Sequence, residues 1–260
     1  MTPALRWGAL LLLPALLPAP VLAQTMIDQE ERLVELHSLL MALPAVQAPG
    51  ALAPFHLSLG LEVIGIPTID GTTGGKEQIT ASDRTRAFPR LRAALGLPLG
   101  GDWRAFAGVG YIPPVEVNGV TCHLGGLEAG LAWAPGALAV ALRGQAVRSV
   151  AESPVTDPAT RDTLHTTVLG ADLAVGYALD AGPVRLTPYA SAGGVWVDGR
   201  FRVTSDGNEV SSESTRPVLG LGLRAGGWQG LEAVIELVDY PDRLGTFSVR
   251  LAWAPALAAQ

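Results

Sequence analysis

From Pro54 onward, apolar residues recur at every second position in ten separate stretches. The clearest places Leu169, Ala171, Leu173, Val175, Tyr177 and Leu179 on one face and Gly170, Asp172, Ala174, Gly176 and Ala178 on the other. A period of two belongs to a β-strand, whose side chains alternate across the sheet. The same alternation runs through Phe55-Leu57-Leu59-Leu61-Val63, Leu91-Ala93-Leu95-Leu97, Leu127-Ala129-Leu131-Trp133 and Leu138-Val140-Leu142. It returns in Leu219-Leu221-Leu223, Leu231-Ala233-Ile235-Leu237 and Phe247-Val249-Leu251-Trp253. Trp103 to Ile112 and Val184 to Val197 fit it less cleanly and complete the ten.

Upstream the period is different. Leu33, Leu36, Leu40 and Leu43 recur at three- and four-residue spacing, with Glu31, Arg32, Glu35 and Ser38 elsewhere on the wheel, which predicts an amphipathic helix over Ile27 to Leu43. Asp28 followed by Glu31 resembles a capping box, and Pro44 stops the helix. Met1 to Ala23 reads as a secretory signal: Arg6, then the apolar Leu11 to Leu17, then Val21-Leu22-Ala23 before Gln24. The expected divisions are a signal peptide at 1–23, a helix and linker at 24–53, a β-barrel at 54–255 and a tail at 256–260.

The segments between strands alternate in length. Tight turns are expected at Gly100-Gly101-Asp102, Ala134-Pro135-Gly136, Asp180 to Pro183 and Gly226-Gly227. Longer polar connections are expected at Pro67 to Arg86, Pro113 to Gly119, Ala151 to Thr163, Arg202 to Thr215 and Asp239 to Gly245. An even number of strands with short turns at one end and long loops at the other suits a membrane barrel with both termini on the short-turn side. Threaded that way, Phe55, Trp103, Trp133, Tyr177, Trp228 and Trp253 fall at the turn end, and Tyr111, Trp196 and Tyr240 at the loop end. Amphipathic rings collect at those two levels of a bilayer.

Composition narrows the classes. The chain has 260 residues, 48% hydrophobic and 16% charged, with one cysteine and a net charge of -6. It is too apolar for disorder, has no disulfide framework, and with a pI near 5.2 is no nucleic-acid binder. Mean hydropathy is +0.32, yet no apolar run after the N-terminus reaches the length of a membrane helix.

The second face of the strands decides between water and lipid. It is mostly Gly, Ala and Ser, carrying Glu62, Arg90, Arg92, Arg104, Glu128, Arg143, Asp172, Arg185, Arg224, Glu232, Glu236 and Arg250. In a barrel these twelve share one lumen, where guanidinium and carboxylate pair. They either fill and rigidify the interior or line a path for a solute. A ten-stranded lumen is only slightly wider than the eight-stranded kind that side chains fill, so the helix at 27–43 either plugs it or contacts the rim or a partner.

Chemical motifs are sparse. Gly71 to Glu77 lacks the spacing of a phosphate loop, Gly220-Leu221-Gly222 alternates within a strand, and Asp206 to Glu209 reads as a turn. Cys122 and His123 fall on opposite faces of a strand and make no metal site. No cofactor is expected. His56 and Ser58 share a face, so a base could reach a hydroxyl, and this His-x-Ser pair resembles that of outer-membrane lipid A deacylases.

Signal segment, alternating strands, long and short connections and two aromatic belts together resemble the Gram-negative outer-membrane β-barrel class over residues 54 to 255. The chain departs from it in ending seven residues beyond Trp253. The resemblance implies a closed antiparallel up-and-down transmembrane barrel, with outer-membrane lipids and the barrel-insertion machinery as partners. Expected functions are a narrow or gated passage for small solutes or a structural membrane protein. The alternatives are a lipid-modifying hydrolase using His56 and Ser58, or a soluble exported barrel holding an apolar ligand.

Overall fold

The computed structural model describes residues 31–32, 34–43, 48–50, 52–65, 87–117, 119–154, 159–205, 207–227 and 229–255. The expected signal peptide, tail and first long loop, and Trp228, lie outside these.

Eleven strand segments form ten staves of one closed antiparallel barrel. They are β1 (Leu57–Gly65), β2 (Ala87–Gly100), β3 (Trp103–Val117), β4 (Val120–Trp133), β5 (Leu138–Ser153) and β6 (Asp162–Tyr177). The short β7 (Leu179–Ala181) continues β6 past Ala178. Then follow β8 (Val184–Arg202), β9 (Glu209–Gly226), β10 (Leu231–Tyr240) and β11 (Leu244–Trp253). Each stave pairs with its chain neighbour, and the first pairs with the last, Leu59 opposite Trp253 and Gly65 opposite Phe247. That pairing closes the ring and removes every edge at this level.

Alternation sets the two faces. Leu61, Leu127, Leu142, Leu173, Leu221, Ile235, Leu237 and Leu251 point outward and are exposed. Apolar area on every side of a barrel is far more than a protein in water leaves uncovered, and it is the face that a bilayer requires. No helix among the described residues is long and apolar enough to cross a membrane, which says nothing of a crossing made by strands.

At the turn end, Trp103 and Trp133 are direct cross-strand partners and, with Tyr177 and Trp253, stand exposed on the outside. At the loop end, Tyr111 is exposed and meets His123 edge to face at 6.0 Å, while Trp196 donates from Nε1 to Glu213. Tyr240 departs from the expected girdle. Only 3% exposed, it turns inward and packs against the lumen core.

The loop end also differs from expectation in length. Val115 to Val117, Ala151 to Ser153 and Glu209 to Thr215 are paired strand, and Pro113 and Pro114 sit in an irregularity of β3. Polar composition there marks the point at which the wall leaves lipid for water, and the ladder continues beyond it. The wall is consequently uneven: β8 and β9 run 19 and 18 residues, β10 and β11 only 10 each.

Candidate functional site

Residues 34–40 form helix α1, and it lies inside the barrel. Leu36, Leu39, Leu40 and Leu43 are buried against Ile112, Leu124, Val147, Val168, Val195, Val197 and Val238 of the wall. This settles the open choice between plug and rim contact in favour of the lumen. Glycines make the room. A methyl group at Gly110 or Gly126 would come within 2.7 or 2.9 Å of Leu43, and one at Gly199 would run into Ser38 and Val34.

The helix points with its C-terminal end toward the barrel's middle, where the charges are. Its last carbonyls have no partner within the helix, and cations are favoured at that end. Arg90 donates to the Ala42 carbonyl at 3.1 Å and Arg143 to the Leu43 carbonyl at 3.1 Å, while the Leu43 amide donates to Gln145 Oε1 at 2.7 Å. Nearer the loop mouth, Glu35 accepts from Ser214 at 2.7 Å and from Arg216, and lies 3.4 Å from Arg243. Ser38 lies 3.3 Å from the Thr166 hydroxyl.

Below the helix a ladder of ion pairs crosses the wall. Glu62 on β1 binds Arg90 at 2.9 Å and lies 3.6 Å from Arg92, both on β2. Arg92 reaches Glu128 on β4 at 2.5 Å, and Arg143 on β5 joins Glu128 at 3.1 Å to Asp172 on β6 at 2.5 Å. The register explains the pairs: Glu62 stands directly opposite Arg90, and Arg143 directly opposite Asp172. On the other side Arg224 pairs with Glu232, whose second oxygen lies 3.6 Å from Arg250. Glu236 is 1% exposed, stands opposite Ser248, and has no hydrogen-bond partner among the described residues.

Of the twelve charged residues assigned to the lumen, ten are buried there: Glu62, Arg90, Arg92, Glu128, Arg143, Asp172, Arg224, Glu232, Glu236 and Arg250. Arg104 is half-buried near the turn end and donates to the Gly50 carbonyl at 2.8 Å. Arg185 departs from the assignment. It has inward parity but lies past the lumen at the turn-end mouth, exposed and paired with Asp180 at 2.8 Å. Missed from the sequence were Glu35, Ser38 and Arg243, which lie outside the strands, and Gln145, Thr166 and Arg216, which share the inward parity of Arg143, Asp172 and Arg224 but gain their role from the helix inside.

The chain leaves the helix downward. Ala48 packs with Tyr189 and Val234, and Gly96 leaves space for the Ala53 carbonyl. A void of about 20 Å³ beside Pro49, Phe106, Arg143 and Asp172 is what remains there, room for about one water. His56 and Ser58 are not hydrogen-bonded to each other: His56 Nδ1 donates to the Pro54 carbonyl at 3.1 Å, and the buried Ser58 hydroxyl has no partner among the described residues. Among the described residues no group of three His, Cys, Asp or Glu side chains could hold a metal.

No family model and no curated protein matches this chain. Solved structures similar to it include the translocator domain of autotransporter NalP from Neisseria meningitidis, at 12% identity and a TM-score of 0.43, over 91% of this chain and 97% of that one. The β domain of the Bordetella autotransporter BrkA is 14% identical with a TM-score of 0.39, over 76% and 98%. The Ralstonia pickettii toluene transporter TbuX is 10% identical with a TM-score of 0.36, over 83% and 74%. All are β-barrels of outer-membrane type, and at these values the likeness carries no argument about what this chain does.

Proposed function

We propose that this protein is a non-enzymatic outer-membrane barrel whose passage is closed by its own N-terminal segment, so that solutes cross only when α1 is displaced. The observation that carries the reading is the double grip on one short stretch of chain: Arg90 and Arg143 hold the carbonyls of Ala42 and Leu43 while Gln145 holds the Leu43 amide. Buried backbone groups need partners in any enclosed segment, and these partners come from the charged network of the wall itself. Here the wall's ion pairs are shared with the plug, so movement of one alters the other. The apolar exterior supports the membrane location, and the occupied, charged interior argues against storage of an apolar ligand.

The test is conductance in a planar bilayer. The intact chain should stay closed, and deletion of residues 24–49 should give open channels. A Ser38→Cys, Thr166→Cys pair in a Cys122→Ser background locks α1 to β6 without removing it. Oxidised, this variant should stay closed under conditions that open the wild type, and reduction should restore wild-type behaviour. Equal conductance in all forms would exclude gating by α1.

A further inference from the structure

The turn-end mouth carries a second feature, separate from the plug. A cleft of about 430 Å³ opens there between the descending chain at Leu52 and Ala53 and the turn joining β9 to β10. That is a ligand-sized volume. Its charged lining is Arg224 and Glu232, with His56 beside them.

The charges do not balance. Glu232 is shared by two guanidinium groups, Arg224 on one oxygen and Arg250 at 3.6 Å from the other. Arg224 is 9% exposed, and its Nε has no hydrogen-bond partner. The guanidinium lies back over Gly226 toward the mouth, where a methyl group would come within 3.1 Å of Cζ. A buried donor left without an acceptor is costly, and a guanidinium edge suits a planar or tetrahedral oxyanion. His56 adds to this. A carbonyl only accepts, so Nδ1 carries the proton that meets Pro54, and Nε2 is the atom that can accept from an oxyanion's own hydroxyl, as on a hydrogen phosphate.

We propose that this cleft binds a small oxyanion, a carboxylate or phosphate group, between Arg224 and His56. The site faces the end at which β1 begins and β11 finishes, so its ligand comes from the compartment at the turn end. It does not depend on whether α1 opens.

The test uses the full folded chain in detergent micelles at constant ionic strength, with chloride exchanged stepwise for inorganic phosphate or for acetate while the thermal midpoint is followed by tryptophan fluorescence. One of the two should raise the midpoint saturably and half-saturate at least about tenfold below any chloride response. A phosphate preference identifies a phosphorylated ligand, and an acetate preference a carboxylate. Arg224→Gln should abolish the response, and His56→Ala, which leaves the Arg224–Glu232 pair in place, should weaken it about tenfold. If Arg224→Gln does not fold, His56→Ala decides. Identical behaviour in phosphate, acetate and chloride, or a response that His56→Ala leaves unchanged, would overturn the proposal.

Discussion

Arg143 donates to the Leu43 carbonyl at 3.1 Å and to Asp172 at 2.5 Å with the same guanidinium group. The wall's ion-pair ladder and the clamp on the plug are thus one structure. Arg143→Met removes the positive partner of Asp172 and one of the two that hold Glu128, and it frees the end of α1. Breaking a buried pair from one side costs about 3–5 kcal/mol. Urea unfolding of the reconstituted barrel should show a loss of that size, partly recovered in Arg143→Met, Asp172→Asn, and conductance should rise even where the barrel remains folded.

The glycines facing α1 allow the plug to be expelled without touching a charge. Gly199→Val puts a branched side chain where Ser38 and Val34 lie, while the strand itself tolerates valine. The barrel should still shift in gel mobility on boiling, as a folded barrel does. Helix α1 should become open to protease, and Gly199→Ser should give a milder form of the same result. A protected helix in Gly199→Val would mean that it does not depend on this close fit.

Lipid contact is testable on the outside. Leu127 is 63% exposed and lies between the Trp133 and Tyr111 levels. Leu127→Arg should destabilise the barrel in vesicles by about 1–2 kcal/mol, between the cost of a charge at the bilayer midplane and at its edge, since Leu127 lies nearer the Tyr111 level than the Trp133 level. Arg148→Leu, on an outward position nearer the loop end, should change stability by much less. Equal and small effects at both sites would argue that Leu127 faces water.

Acid should loosen the upper part of the plug. Burial disfavours the ionised form of Glu35, but bonds from Arg216 and Ser214 and the nearby Arg243 outweigh it and hold the carboxyl below its ordinary value of 4.5. A carboxylate depressed on folding stabilises at pH above its unfolded value and loses that contribution as pH falls through the folded one. Protease access to α1 should therefore rise below about pH 4, the ordinary carboxylate range. Glu35→Gln should show the loosened state already at neutral pH and no further change on acidification.

The staves were legible because burial on one side imposes a period of two, and Leu169 to Leu179 shows it without interruption. Inward parity likewise located the charged lining. Parity says nothing of height, however, so Arg185, below the lumen, was placed wrongly by that rule, whereas Tyr240 shares the inward parity of Glu232 and Glu236 and was put in the girdle by its place at a strand end alone. Loop lengths were overread for a related reason. Ser211, Ser212 and Ser214 look like loop residues, yet β8 supplies them with hydrogen-bond partners above the membrane level. The position of α1 was not readable at all. Its leucine stripe demands burial somewhere, and only contacts with residues far away in the chain, Arg90 and, a hundred or more positions on, Arg143 and Gln145, fix where.

The pairing of β1 with β11 has a consequence for assembly. Residues 48–50 and 34–43 run inside the ring, and they are continuous with the strand that completes it. Once Leu59 has met Trp253, the inner segment has no sideways exit and can move only lengthwise. Any exchange of that segment with the outside must therefore be end-on through a mouth of the ring, during assembly and in the proposed gating alike.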